Sequence, residues 1–140
     1  MTTVRDEQEH VRDAMLRDPL ALPGDATAQQ AGEALSPAEV RAVLVCEDDR
    51  LVGVVTRKTL VREVVARGLD PRATRLRQIA EEPLFTLDAS LPLDEAFRML
   101  EEHDLERVPV TEDGRLVGVL SRSVLQRRLA YDEEAEPADA

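Results

Sequence analysis

The sequence predicts an α+β fold, an α/β sandwich made of two copies of a strand-helix-strand-strand-helix unit. Three observations carry that reading. Laid along itself, the chain brings residues 43–62 (VLVCEDDRLVGVVTRKTLVR) onto residues 108–127 (VPVTEDGRLVGVLSRSVLQR) with 12 of 20 positions identical. Each matched stretch reads as two β-rich runs around a tight turn, Asp48-Asp49 or Asp113-Gly114. Upstream of the second, Leu93, Ala96, Phe97 and Leu100 recur at the i, i+3, i+4, i+7 spacing of one helix face. A repeated unit of about 60 residues usually means that one copy cannot cover its apolar face alone.

The elements follow in order. Residues 4–15 place Val4, Val11, Ala14 and Met15 at helical spacing. AMLRD at 14–18 and IAEE at 79–82 hold equivalent places, and DPLALPGDAT at 18–27 resembles EPLFTLDAS at 82–90. Each unit then opens with a short extended piece, Leu20–Leu22 or Leu84–Leu87, and an Asp-Ala-Thr or Asp-Ala-Ser start signal. Ser90 is the expected N-cap of the second copy's helix, with Pro92 in its first turn. The first copy's helix is shorter, and Ser36-Pro37-Ala38-Glu39 has the capping-box pattern that would restart a turn. The hairpins come next, Val43-Leu44-Val45 with Leu51–Val55 and Val108-Pro109-Val110 with Leu116–Leu120. The apolar return strands predict burial on both faces. A helix closes each unit, with Leu60, Val61, Val64 and Val65 in the first and Val124, Leu125 and Leu129 in the second. Gly68 is the expected stop. The predicted organisation is residues 11–68, 76–131 and a disordered acidic tail at 132–140.

Composition narrows the function. A 43% hydrophobic content suits a globular chain, and no run reaches the roughly 18 apolar residues of a membrane span. The N-terminus has no apolar stretch of the signal-peptide kind, so the expectation is a soluble cytoplasmic protein without membrane association. Arginine dominance and abundant alanine suggest a bacterial source. Net charge is −11 and aromatics are 2%, which argues against nucleic acid as a partner. Five of the acids lie in residues 132–140, a run that cannot bury itself. Residues 57–77 run the other way, with seven basic residues against Glu63 and Asp70. That segment could steer a small anion, or could simply be solvated helix faces. The single cysteine, Cys46, excludes an internal disulfide and a multi-cysteine zinc site, and a buried apolar role is expected for it. His10 and His103 read as surface residues, and no metal site is expected. No nucleophile elbow, Walker loop or Ser-His-Asp set is present, so the chain is not read as an enzyme.

The string LVGVVTRKTL, the order of elements and the tandem pairing resemble the CBS domain, named after cystathionine β-synthase. The family's stretch is Pro-Val, an acidic-Gly turn, then an apolar strand with a central Gly, Thr or Ser, and an Asp three residues on. The second copy supplies Val108-Pro109-Val110, Asp113-Gly114 and Leu116–Ser121, and the first supplies Leu51–Thr56 with Leu44 in place of the Pro. The resemblance covers about residues 11–130. It implies two repeats packed with pseudo-twofold symmetry around a cleft, a homodimer formed through helices, and a regulatory role toward a protein target that the sequence does not identify. It also implies adenine-nucleotide-like ligands, among them AMP, ADP, ATP and S-adenosylmethionine.

Carried over residue by residue, Thr56 and Ser121 match the family's hydroxyl at the strand end. The Asp position holds Thr59 and Val124, so neither copy keeps the ribose-binding carboxylate. Thr86-Leu87 matches the Thr-hydrophobic pair before the first helix, where the first copy has Leu22-Pro23. Arg57 and Arg122 follow the hydroxyls. Each could clamp a phosphate near a helix start or pair with local acids. The expected ligand-binding set is Thr56, Arg57, Thr59, Thr86, Val108, Pro109, Ser121 and Arg122. The alternative is a ligand-free dimerisation or protein-interaction scaffold that has lost nucleotide binding.

Overall fold

The computed structural model describes residues 9–83 and 85–127. The acidic tail, Leu129, Leu84 and residues 4–8 of the N-terminal segment lie outside them. The elements are α1 (Val11–Ala14), β1 (Ala21–Pro23), α2 (Ala28–Ala34), β2 (Val43–Glu47), β3 (Arg50–Val55), α3 (Arg57–Leu60), α4 (Leu76–Ile79), β4 (Leu87–Asp88), α5 (Leu93–Glu102), β5 (Arg107–Glu112) and β6 (Arg115–Ser121). A π-helical segment, Val61–Val65, continues α3. Residues 122–127 form a last helical segment, α6. The mixed α/β content and the strand-helix-strand-strand-helix order are those expected. Among the described residues no helix is long and apolar enough to cross a membrane.

The chain divides into two compact units that do not follow the repeats in simple order. One comprises Pro19–Leu84 with Gly114–Leu116, and the other the N-terminal residues to Asp18, Phe85–Asp113 and the chain from Val117. The lead-in that precedes each repeat therefore sits in the unit of the other. In the first unit Leu76 donates its backbone N–H to Ala26 O at 2.8 Å and Arg77 to Gly24 O at 3.0 Å. In the second, at the equivalent positions of the repeat, Val11 donates to Leu91 O at 2.9 Å and Arg12 to Ala89 O at 3.0 Å. Leu76 and Val11 are both fully buried.

In the first unit β1 runs parallel to β2, which pairs antiparallel with β3. Asp48 and Asp49 turn this hairpin with φ of 55° and 67°. Two successive positive φ values match the right-handed twist of the strands. Beyond β3, Glu81 forms an antiparallel bridge with Val54. A Cβ on Gly53 would lie 2.6 Å from that of Ala80, so glycine is what lets this segment approach. The core collects Leu35, Val43, Val45, Val55, Val64, Leu76 and Ile79 with Ala28 and Ala31. The second unit repeats the plan. β4 runs parallel to β5, β5 neighbours β6, and Leu16 bridges Val119. Asp113 and Gly114 turn its hairpin with φ of 55° and 81°. Its core gathers Val11, Leu87, Leu93, Leu100, Val108, Val110, Leu120 and Leu125. Each buried Leu or Val contributes about 1.5–3 kcal/mol relative to exposure.

Three local expectations change. Ser90 is not the N-cap of α5, because its hydroxyl and N–H both donate to Asp88 Oδ1 at 2.7 and 2.9 Å. That Asx turn delays the helix to Leu93, with Pro92 at the N-cap. Thr27 does cap α2, accepting from Gln30 N at 3.2 Å while Gln30 Oε1 accepts from Thr27 N at 2.8 Å. Ser36 restarts no helix, since its hydroxyl donates to Gly32 O and Val40 N–H closes a turn on Pro37 O. The first return strand, β3, is fully buried on one face only. Gly53 and Val55 face the core whereas Val52 is 43% exposed. Gly68 ends the π segment at φ 68° as expected.

Candidate functional site

The start of α3 is built from its own side chains. Thr56 follows β3 and accepts from Thr59 N at 3.3 Å, while Thr59 Oγ1 accepts from Thr56 N at 3.0 Å. The two hydroxyls lie 3.1 Å apart. This reciprocal pair satisfies two backbone donors at once. Thr59 is fully buried. The side chain standing where the resemblance expects Asp thus faces inward to the cap.

Arg57 turns back toward α2. Its Nη2 donates to Leu35 O at 2.5 Å and Pro37 O at 2.7 Å. These carbonyls follow the last turn of α2, where helical carbonyls lack donors and the dipole is negative. The second unit repeats the arrangement. Arg122 Nη1 lies 3.5 Å from Leu100 O, the carbonyl that answers to Leu35 O in the second repeat. It also pairs with Asp104 at 3.3 Å and lies 3.8 Å from Glu106. Of the two roles expected for these arginines, pairing with local acids describes Arg122, and Arg57 binds carbonyls. Neither sequence pattern nor charge pointed to the helix-end carbonyls; the repeat equivalence of Arg57 with Arg122 and of Leu35 with Leu100 was the signal available.

Ser121 ends β6 and is buried. Its Oγ accepts from Val124 N at 3.4 Å and lies 3.2 Å from Ser123 Oγ. Val124 has no hydroxyl to complete the reciprocal half seen at Thr59. Thr86 is exposed just before β4. The Val108 side chain is 2% exposed and belongs to the core, so only its backbone could meet a ligand. Pro109 is half-buried on the opposite face of β5. Thr56, Arg57 and Thr59 therefore gather in one unit, and Ser121, Arg122, Val108 and Pro109 belong to the other.

Much of the basic segment 57–77 is engaged with acids. Arg62 pairs with Glu81, Arg67 with Glu63 at 3.2 Å, and Arg77 with Asp25 at 2.5 Å and Glu47 at 3.1 Å. The Arg77 hydrogen bond and charge hold the Asp25 carboxyl below its ordinary pKa. Hydrogen bonds from the Ser90 hydroxyl and N–H do the same for Asp88. Cys46 is half-buried, and burial with nearby Asp49 pushes its thiol up. His10 lies 3.9 Å from Asp13, and the His103 ring sits 4.5 Å from that of Phe85. Among the described residues no group of three or more His, Cys, Asp or Glu could hold a metal ion.

The CBS domain family matches this chain twice, over residues 11–66 and 76–131. The chain belongs to the CBS-domain family. It is 34% identical over 92 residues to hypoxic response protein 1 of Mycobacterium tuberculosis, a match covering 65% of this chain and 64% of that one. A crystal structure of Hypoxic Response Protein I with two coordinated zinc ions superposes with a TM-score of 0.72 at 29% identity, over 86% of this chain and 98% of that one. A putative acetoin utilization protein from Vibrio cholerae has the same fold, with a TM-score of 0.75 at 23% identity over 93% and 99% of the two chains. Inosine-5'-monophosphate dehydrogenase of Staphylococcus aureus is 26% identical over 91 residues, 64% of this chain but 17% of the enzyme. The family and these relatives make the chain a regulatory CBS module.

Proposed function

We propose that this CBS pair senses a small anionic, adenine-nucleotide-like ligand and works as a homodimer acting on a protein target. One observation carries the reading. In both repeats an arginine follows a strand-end hydroxyl, Thr56-Arg57 and Ser121-Arg122, and reaches a carbonyl at the C-terminal end of the preceding helix, Leu35 O just after α2 or Leu100 O in the last turn of α5. A guanidinium has five N–H donors. A phosphate offers it charge-assisted bonds stronger than those to a neutral carbonyl. A bound phosphate would therefore compete with Leu35 O or Leu100 O and loosen the ends of α2 or α5. The ligand's differential affinity for the two arrangements would set the regulatory shift. A thermal-shift series with AMP, ADP, ATP and S-adenosylmethionine tests this. Ligand at about 100 times its Kd stabilises the folded state by about 2.7 kcal/mol, several degrees in Tm. The shift should disappear in a Thr56→Ala/Arg57→Ala variant.

A second reading also has an observation behind it. Thr59 is buried in the cap and Val124 has no acceptor, so neither repeat presents a carboxylate to a ribose. A ligand-free interaction scaffold would give no shift with any of the four compounds on a folded sample.

A further inference from the structure

The two arginines that follow the strand-end hydroxyls stand in opposite electrical surroundings. In the second repeat Arg122 is met by carboxylates, Asp104 at 3.3 Å and Glu106 at 3.8 Å. Glu106 does more than pair. Its Oε2 accepts from the Ser123 N–H at 3.3 Å, while its Oε1 faces the Arg122 guanidinium. One side-chain carboxylate thus takes donors that a bound oxyanion would take beside Arg122. The first repeat lacks that carboxylate. The offset that lays residues 43–62 on 108–127 puts Arg41 at the position of Glu106 and Lys58 at that of Ser123. Arg57 is turned to neutral carbonyls, Leu35 O and Pro37 O. Glu39 holds the Asp104 position, yet among the described residues it forms no ion pair, and neither do the exposed Arg41 and Lys58. Over these four equivalent positions the first repeat has three cations and one carboxylate, and the second has one cation and two carboxylates.

We propose that Glu106 is the built-in anion of the second repeat and closes it to phosphate, so that each chain takes one phosphate-bearing ligand, at Arg57 with Arg41 and Lys58. This deepens the ligand-sensing reading above and rests on it. A phosphate entering the second repeat must displace Glu106 and lie against two carboxylates, a repulsion that opposes binding. In the first repeat it replaces bonds to neutral carbonyls by charge-assisted ones, among cations that draw it in. Arg41 and Glu106 therefore decide which repeat responds, although neither belongs to the Thr56-Arg57 or Ser121-Arg122 pair.

Equilibrium dialysis of the full chain with radiolabelled ATP counts the sites. The wild type should bind one ATP per chain. Arg41→Glu installs the second repeat's charge in the first and should weaken that site at least tenfold. Glu106→Gln removes the built-in anion and Glu106→Arg copies the first repeat, so each should bind two ATP per chain. Both positions are exposed, so the fold should hold, as thermal melts check. The exchange Arg41→Glu/Glu106→Arg should still bind one ATP. Adding Arg122→Ala should abolish that site, where the wild type loses its own with Arg57→Ala. Two sites in the wild type, a single site in both Glu106 variants, or a wild-type site indifferent to Arg41→Glu overturns the proposal and leaves ligand sensing standing. A wild-type chain that binds no ATP also overturns it, and the melts with AMP, ADP and S-adenosylmethionine then judge the reading above on their own.

Discussion

Replacing Thr59 with valine keeps the shape of a fully buried side chain and removes one oxygen. That oxygen accepts from Thr56 N at 3.0 Å and lies 3.1 Å from Thr56 Oγ1. The Thr56 N–H then loses its partner in a part-buried place. Leaving such a donor unsatisfied costs about 1–3 kcal/mol, and loss of a helix cap costs about 0.5–2 kcal/mol. The two figures describe one bond from two sides, so about 1–2 kcal/mol is expected for Thr59→Val rather than their sum. The second repeat contains the reverse experiment, because Val124 already occupies the equivalent position. Val124→Thr should supply the missing hydroxyl and stabilise by up to about 1 kcal/mol. Urea denaturation at equal m-value measures both. A loss under about 0.5 kcal/mol for Thr59→Val would show that water replaces the bond and would refute the argument.

Other outcomes follow from single features. Leu100 is fully buried in its unit, so Leu100→Ala should cost about 2–5 kcal/mol in the same assay. Ser90→Ala removes the hydroxyl bond, the larger of the two Ser90 bonds that lower the Asp88 pKa, and keeps the backbone one. A carboxyl with a depressed folded pKa stabilises above its unfolded value and loses that as pH falls through the folded one. The variant's deficit should therefore be full at neutral pH and shrink progressively as pH falls below about 4, as read by thermal melts across pH. The raised thiol pKa of Cys46 predicts alkylation by iodoacetamide slower than that of free cysteine at neutral pH, with acceleration only in alkaline solution.

Where structure and sequence part, the cause is a contact the local pattern cannot contain. Thr27 and Ser90 sit in matching Asp-Ala-Thr and Asp-Ala-Ser triplets, yet only Thr27 caps a helix. Asp88 takes both Ser90 donors first, and the helix start moves on to Leu93. Val61 and Val65 have helical spacing, but α3 passes into a π turn that leaves them exposed. Arg57 and Arg122 were legible as a repeated pair beside a hydroxyl. Their reach to Leu35 O and Leu100 O was not, because it bridges distant parts of the chain and depends on where α2 and α5 end.

By itself the sequence determined the doubled unit, the hairpins and the family. Those rest on signals within a few residues: turn chemistry that demands positive φ, alternation, helical spacing, and one motif written twice. Only the tertiary structure decided that each lead-in serves the other repeat's unit. Val11 and Leu76 need a buried apolar site and their neighbouring N–H groups need acceptors. Those are provided beside Leu91 and Ala26, which no local rule relates to them. The structure likewise decided which partners these side chains take within their own unit, the Thr56 N–H for Thr59 and the Leu35 and Pro37 carbonyls for Arg57.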